Sequence, residues 1–82
     1  MYIVYVLKSI KDGGYYIGCT SDMERRLRDH NGGKNRSTRN RRPFKLVYTE
    51  LYNDRSAAYN REKQIKRYKG GKSFKKLLGE VA

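Results

Sequence analysis

Tyr2-Ile3-Val4-Tyr5-Val6-Leu7 is an unbroken run of β-branched, aromatic and leucine side chains. With no polar residue alternating through it, the run suits a strand buried on both faces. The chain has 82 residues, enough for one small domain with a single modest core. Residues 1–82 therefore read as one domain, and much of the remaining chain must serve to cover that strand.

Lys11-Asp12-Gly13-Gly14 supplies a turn, and Tyr15-Tyr16-Ile17 returns as an antiparallel partner. Ser21 reads as the cap of a first helix, with Glu24 at the third helical position reaching back to it, and Asn31-Gly32-Gly33 ends that helix. Lys34 to Pro43 is a basic polar loop with no acid and no large apolar residue. Phe44 to Leu51 resumes a strand pattern, Asn53-Asp54 offers a second cap, and Arg55 to Tyr68 reads as a second helix. Gly70-Gly71 breaks it, and Ser73 caps a short final helix through Leu78. The order β-β-α-β-α-α implies an α/β chain of the α+β type, a small mixed sheet with helices packed on it.

Helical phase separates residues that adjacency does not. At about 100° per residue, with Met23 at 0°, Leu27 falls near +40°, His30 near −20° and Arg26 near −60°. Arg25 lands near 200°, on the solvent side. Arg26 and His30 thus border the buried stripe together. In the second helix, with Ala58 at 0°, Ile65 falls near −20° and Glu62 near +40°, so Glu62 faces the body of the protein. It is the only acid among eight basic residues between Arg61 and Lys76. Alternation along the first strand puts Ile3, Tyr5 and Leu7 on one face, and Tyr16 and Gly18 share a face of the second. Tyr5 and Tyr16 lie side by side if the register places them on the same face.

Twenty Lys and Arg against eight Asp and Glu leave a formal charge of +12. Such an excess repels itself in a compact state and serves a polyanionic partner, nucleic acid before an acidic membrane surface. No apolar run approaches the roughly 20 residues that span a bilayer, and the start lacks the features of a signal peptide. The single cysteine, Cys19, excludes an internal disulfide and a multi-cysteine zinc site. These features predict a soluble cytoplasmic protein.

Ile3-Val4-Tyr5, Tyr16-Ile17-Gly18, Arg26, His30 and Glu62 together resemble the GIY-YIG nuclease superfamily. The likeness is to its small single-domain members, related to the catalytic domain of the excision-repair nuclease. Tyr5 matches the tyrosine of the first motif and Tyr16 that of the second. Arg26, ten residues beyond Tyr16, matches the helix arginine, His30 the His-or-Tyr position, and Glu62 the metal-binding glutamate. The resemblance implies a three-stranded antiparallel sheet flanked by helices and a divalent-metal-dependent endonuclease cleaving DNA phosphodiester bonds, with a role in repair. Two departures stand out. The first motif lacks its glycine, and Cys19 occupies the place where some repair relatives carry a lysine. Family members normally carry an appended DNA-binding domain, and residues 1–82 are expected to act without one.

These residue types suit the reaction. Glu62 with waters and substrate oxygens is a reasonable site for magnesium or manganese, which keep much of their hydration. Arg26 offers planar, bidentate charge to a phosphate. Tyr5 would act as base, assisted by His30, with Tyr16 binding water or phosphate. Lys34, Arg36, Arg39, Arg41, Arg42 and Lys45, with Lys63 and Lys66 on the second helix, would hold the phosphate backbone of DNA, or of RNA, without reading sequence. Each residue also has a plainer reading. The tyrosines are sheet residues with bonded hydroxyls, Arg26 and Glu62 form an ion pair between helices, and His30 meets a helix dipole. Cys19 is a packing residue and the charge run is solvated. The whole-chain alternative is a non-catalytic nucleic-acid-binding domain on a nuclease fold.

Overall fold

The structure, a computed structural model, describes residues 1–69 and 71–79. It contains β1 (Tyr2–Ser9), β2 (Tyr15–Thr20), α1 (Met23–Asn31), a 3₁₀ turn (Arg39–Arg41), β3 (Phe44–Tyr52), α2 (Arg55–Tyr68) and α3 (Lys72–Leu77). The element order is the one the sequence predicts. The strands form one sheet in the order β2-β1-β3, and both pairings are antiparallel, as the resemblance implies, and not mixed as the element order alone suggests.

β1 is the central strand, which explains its unbroken apolar run. Val4, Tyr5, Val6 and Leu7 are all fully buried. Val4 and Val6 meet Ile17, Ala58 and Ile65 of the α2 side and Phe74 of α3. Tyr5 and Leu7 meet Phe44, with Met23 and Leu27 of α1 packed against them. The sheet is therefore covered by α1 on one face and by α2 and α3 on the other. Opposite the step from Val6 to Leu7 the register of β3 jumps from Tyr48 to Leu46, leaving Val47 as a bulge. The extra residue reverses the alternation of β3. Phe44 lies on the α1 face, whereas Tyr48 and Tyr52 pack on the α2 side.

Two caps differ from expectation. α1 is capped by Asp22, whose carboxylate accepts the Arg25 N–H at 3.1 Å, and Ser21 lies outside the helix. The Thr20 hydroxyl accepts the Asp22 N–H at 3.1 Å, holding the turn one residue later. A carboxylate at a helix start also gains from the macrodipole, which a serine hydroxyl does not. α3 begins after Gly71, which adopts extended backbone with no side-chain cap, so Ser73 lies inside the helix. The expected break at Gly70 lies outside the described residues. α2 starts as predicted, with the Asp54 carboxylate accepting the Ala57 N–H at 3.2 Å. Gly33, at φ +79°, turns the chain out of α1 in a conformation that glycine adopts without strain.

Among the described residues, no helix is long and apolar enough to cross a membrane. The loop between α1 and β3 is tied down at several points. The Ser9 hydroxyl donates to the Arg41 carbonyl at 2.6 Å. The Asn31 side chain takes the Phe44 N–H at 2.7 Å and returns a bond to the Phe44 carbonyl at 3.2 Å. Within the loop Thr38 is 1% exposed.

Candidate active site

Tyr5 occupies the middle of β1 opposite Gly18 of β2. A Cβ added to Gly18 would collide with Tyr5 Oη and Cζ, so the bare glycine lets the Tyr5 ring lie across the neighbouring strand. Tyr16 pairs with Leu7 and falls on the same face, its ring centroid 6.3 Å from that of Tyr5. The register left open by the sequence therefore sets the two tyrosines side by side.

α1 brings its inner edge onto this pair. Arg26 Nε donates to Tyr5 Oη at 3.2 Å, while Arg25 is exposed, in agreement with the helical phase. His30, one turn on, is fully buried and lies edge-on to the Tyr16 ring with centroids 4.7 Å apart. Its Nε2 is 3.2 Å from Tyr5 Oη and its Nδ1 is 2.9 Å from Thr38 Oγ1. Thr38 Oγ1 in turn donates to the Asn35 carbonyl at 3.4 Å.

Burial governs how these groups titrate. Burial pushes the Tyr5 hydroxyl up to about 12, against the lowering effect of its Arg26 hydrogen bond and charge; Tyr16 and Glu62 add smaller upward contributions. Burial, reinforced by the Arg26 charge and opposed by Asp29, holds the His30 imidazole below its ordinary value, so His30 is neutral at pH 7. The Tyr5 hydrogen bond raises Arg26 further above the physiological range.

Glu62 arrives from the opposite face, on α2. Its side chain is 14% exposed and pairs with Lys66 Nζ at 2.8 Å, one helical turn along. The expected alternative of an Arg26–Glu62 ion pair does not form, because Arg26 is turned to Tyr5 and Lys66 is the nearer partner. Glu62 borders an open depression of about 490 Å³ with Tyr2, Cys19, Thr20, Ser21, Arg55 and Tyr59. Arg26 borders a second one with Arg25 and Asp29. Thr20 and Ser21 belong to both, so the two halves meet at the β2–α1 turn. One carboxylate with hydroxyl groups beside it suits a cation that retains most of its water, such as magnesium or manganese. Among the described residues no group of three or more His, Cys, Asp or Glu could enclose a metal. The Cys19 thiol is pushed up by burial and then by Glu62, which keeps it protonated and unreactive.

The expected phosphate-binding cations fall into two groups. Arg36, Arg39, Arg42, Lys45 and Lys63 belong to exposed residues, although Arg39 Nε is held by the Gly33 carbonyl and Arg42 Nε by the Arg39 carbonyl. Lys63 lies over the Tyr59 ring, 4.8 Å from its centroid. Others have partners within the fold. Arg41 pairs with Asp12 at 3.0 Å and stacks over Phe44, Lys34 lies 3.6 Å from Asp29, and Lys66 holds Glu62. The loop and α2 charges share one surface: beyond the effect of burial, Arg41 and Lys66 both depress the Lys69 ammonium.

Thr38 is the site contact that sequence reasoning missed. It lies in a segment read as solvated and eight residues beyond His30, outside helical spacing. Its only signal is being the sole β-branched residue of the polar loop.

The family described as the GIY-YIG catalytic domain matches residues 1–75. A UPF0213 protein of Haloquadratum walsbyi is 46% identical over 66 residues, covering 79% of this chain and 73% of its own. A UPF0213 protein of Staphylococcus saprophyticus is 40% identical over 78 residues, covering 94% and 93%. Among solved structures, the solution NMR structure of a UPF0213 protein from Bacillus halodurans is 39% identical. It covers 82% of this chain and 72% of that one, with a TM-score of 0.49.

Proposed function

The chain belongs to the GIY-YIG catalytic domain family, and from that membership we propose that residues 1–82 act as one divalent-metal-dependent endonuclease domain. It hydrolyses DNA phosphodiester bonds with little sequence preference. The observation that carries this reading is the hydrogen-bonded string Arg26–Tyr5–His30, set beside Tyr16 and within electrostatic reach of Glu62. A purely structural Tyr–Arg–His cluster has no need of a half-buried carboxylate beyond the edge strand.

In this reading Glu62 holds magnesium or manganese. When bound, the ion supplies positive charge to the phosphoryl oxygens and makes water more acidic. Arg26 steadies charge that develops on the phosphate. Tyr5 cannot act as a free tyrosinate. With its hydroxyl pushed up to about 12, ionisation at pH 7 would cost about 7 kcal/mol. A concerted relay to neutral His30 avoids forming a free tyrosinate. As the attacking water gives a proton to Tyr5 Oη, Tyr5 passes its own proton to His30 Nε2. The water oxygen bonds to phosphorus while the ester P–O bond breaks, the departing alkoxide takes a proton from solvent, and His30 later returns its proton through Tyr5. Tyr16 orients the water or the phosphate. The exposed cations of the loop and of α2 hold the backbone of the strand.

The test is cleavage of branched, nicked, duplex and single-stranded DNA by the purified chain with magnesium, manganese or chelator. Cleavage is expected with either metal and none with chelator. Glu62→Gln is expected to abolish cleavage and leave DNA affinity within a few-fold. Unchanged turnover in that variant at saturating metal removes Glu62 from the role.

A further inference from the structure

We infer that Thr38, a residue of the basic loop, is a positioning residue that fixes the tautomer of His30. It holds the proton on Nδ1 and leaves the Nε2 lone pair aimed at Tyr5 Oη. The use made of that lone pair rests on the nuclease reading; the tautomer itself does not.

The argument runs from both ends of the buried string. At one end the Thr38 hydroxyl can give its proton to the Asn35 carbonyl 3.4 Å away, which also accepts the Thr38 N–H at 3.2 Å. In that arrangement Thr38 Oγ1 turns its lone pairs to the ring and His30 Nδ1, 2.9 Å away, donates to it. At the other end Arg26 Nε can only donate, so Tyr5 Oη accepts from it and keeps its own proton to give. Among the described residues the remaining hydrogen-bond partner of Tyr5 Oη is His30 Nε2 at 3.2 Å. The Tyr5 end requires this tautomer, and the Thr38 end completes it. The opposite one leaves the buried Tyr5 proton without an acceptor among the described residues while the site is free of substrate, and stranded buried donors are costly.

Among the described residues nothing else packed on His30 can do this work. β2 presents the Tyr16 ring and β3 the Phe44 ring. From α1 come only the charges of Arg26 and Asp29. A second ring bond that fixes which nitrogen carries the proton is what makes a histidine a directional acceptor. Here that bond comes from the segment expected only to hold phosphate, so the loop completes the site as well as serving the substrate.

The chain has one histidine, so its imidazole nitrogens can be read without ambiguity by long-range ¹H–¹⁵N correlation on uniformly labelled protein at pH 7.5. Wild type is expected to show a protonated Nδ1 and an unprotonated Nε2. Thr38→Val, of similar shape, is expected to move the proton to Nε2, and Thr38→Ser to retain it on Nδ1. In single-turnover cleavage, Thr38→Val is expected to lose on the order of 10²-fold in rate with DNA affinity unchanged, and Thr38→Ser to recover most of it. A wild-type Nε2–H tautomer overturns the inference without any variant being made. So does an unchanged tautomer in folded Thr38→Val, or a rate loss that Thr38→Ser does not repair. If wild type cleaves no DNA, the nuclease reading fails, and the imidazole spectra alone still decide the role of Thr38.

Discussion

Arg25 and Arg26 are neighbours in sequence with opposite surroundings, Arg25 exposed and Arg26 bonded to the Tyr5 hydroxyl. Arg26→Ala is accordingly expected to lower single-turnover cleavage by on the order of 10²-fold or more, and Arg25→Ala by less than a few-fold. Equal losses in that assay would detach Arg26 from the phosphate. On the proposed reading the same pocket sets the acid limit of activity. His30 accepts a proton only when neutral, and burial together with Arg26 holds it below its usual 6.5. A log rate against pH is therefore expected to stay level below pH 6.5 before it falls. An acid limb centred at or above 6.5 would mean that another group controls it. The sign for stability is the same: the unfolded chain takes up the histidine proton first, so the neutral-His30 contribution is full above pH 6.5 and declines as pH drops toward the folded value. Helical phase made this much legible, since Arg26 and His30 border the apolar stripe of α1 on spacing alone. The Thr38 bond was not legible, because it depends on how an irregular loop folds back. The Lys66 partner of Glu62 has plain i,i+4 spacing, yet spacing alone does not say which of the nearby cations a carboxylate will choose.

β3 and α2 are fastened by a group away from the candidate site. Glu50 accepts from Arg61 Nε at 2.9 Å and Nη2 at 3.0 Å, from the Tyr52 hydroxyl at 2.6 Å and from the Tyr48 hydroxyl. The bulge at Val47 is what turns all three β3 side chains toward α2. Burial pushes the Glu50 carboxyl up, but Arg61, then Tyr48 and Tyr52, outweigh it and bring it to about 2. A depressed carboxylate adds stability that is complete above its unfolded value and is lost as pH falls through its folded one. Denaturant midpoints are therefore expected to drop between pH 4.5 and about 2. Glu50→Gln, which leaves Arg61 without its charge partner, is expected to cost about 3 kcal/mol at pH 7 and to flatten that decline, with Asp12, also held low by the Gly14 N–H and by Arg41, supplying what remains. Parallel pH profiles for the two proteins would show that the group contributes nothing. The sequence announced every element here, through period and caps. It did not announce the bulge, because one extra residue in β3 leaves no compositional trace and only the pairing with β1 reveals it.

The described fold is a slab of 32 × 27 × 17 Å, and its longest edge is close to one turn of duplex DNA. On the proposed reading that bounds how many backbone phosphates one copy can reach, which makes a few loop cations a large share of its affinity. Arg36, Arg39 and Arg42 are exposed, whereas Arg41 is committed to Asp12 and Phe44. Replacing those first three by glutamine is expected to weaken binding to all sequences alike and to flatten the slope of log K against log salt by roughly 0.9 per duplex contact removed. The cleavage rate at saturating enzyme should change little. An unaltered slope would return the loop to solvated charge, and a loss confined to one sequence would mean base reading. Tyr5, Tyr16, Arg26, His30 and Thr38 come from β1, β2, α1 and the loop, while Glu62 comes from α2, on the far face and late in the chain. A ribosome thus releases these tyrosine, arginine, histidine and threonine side chains before the carboxylate. On the proposed reading, a nascent or prematurely terminated chain ending before α2 carries no cutting activity, and the cell is never exposed to a half-made nuclease.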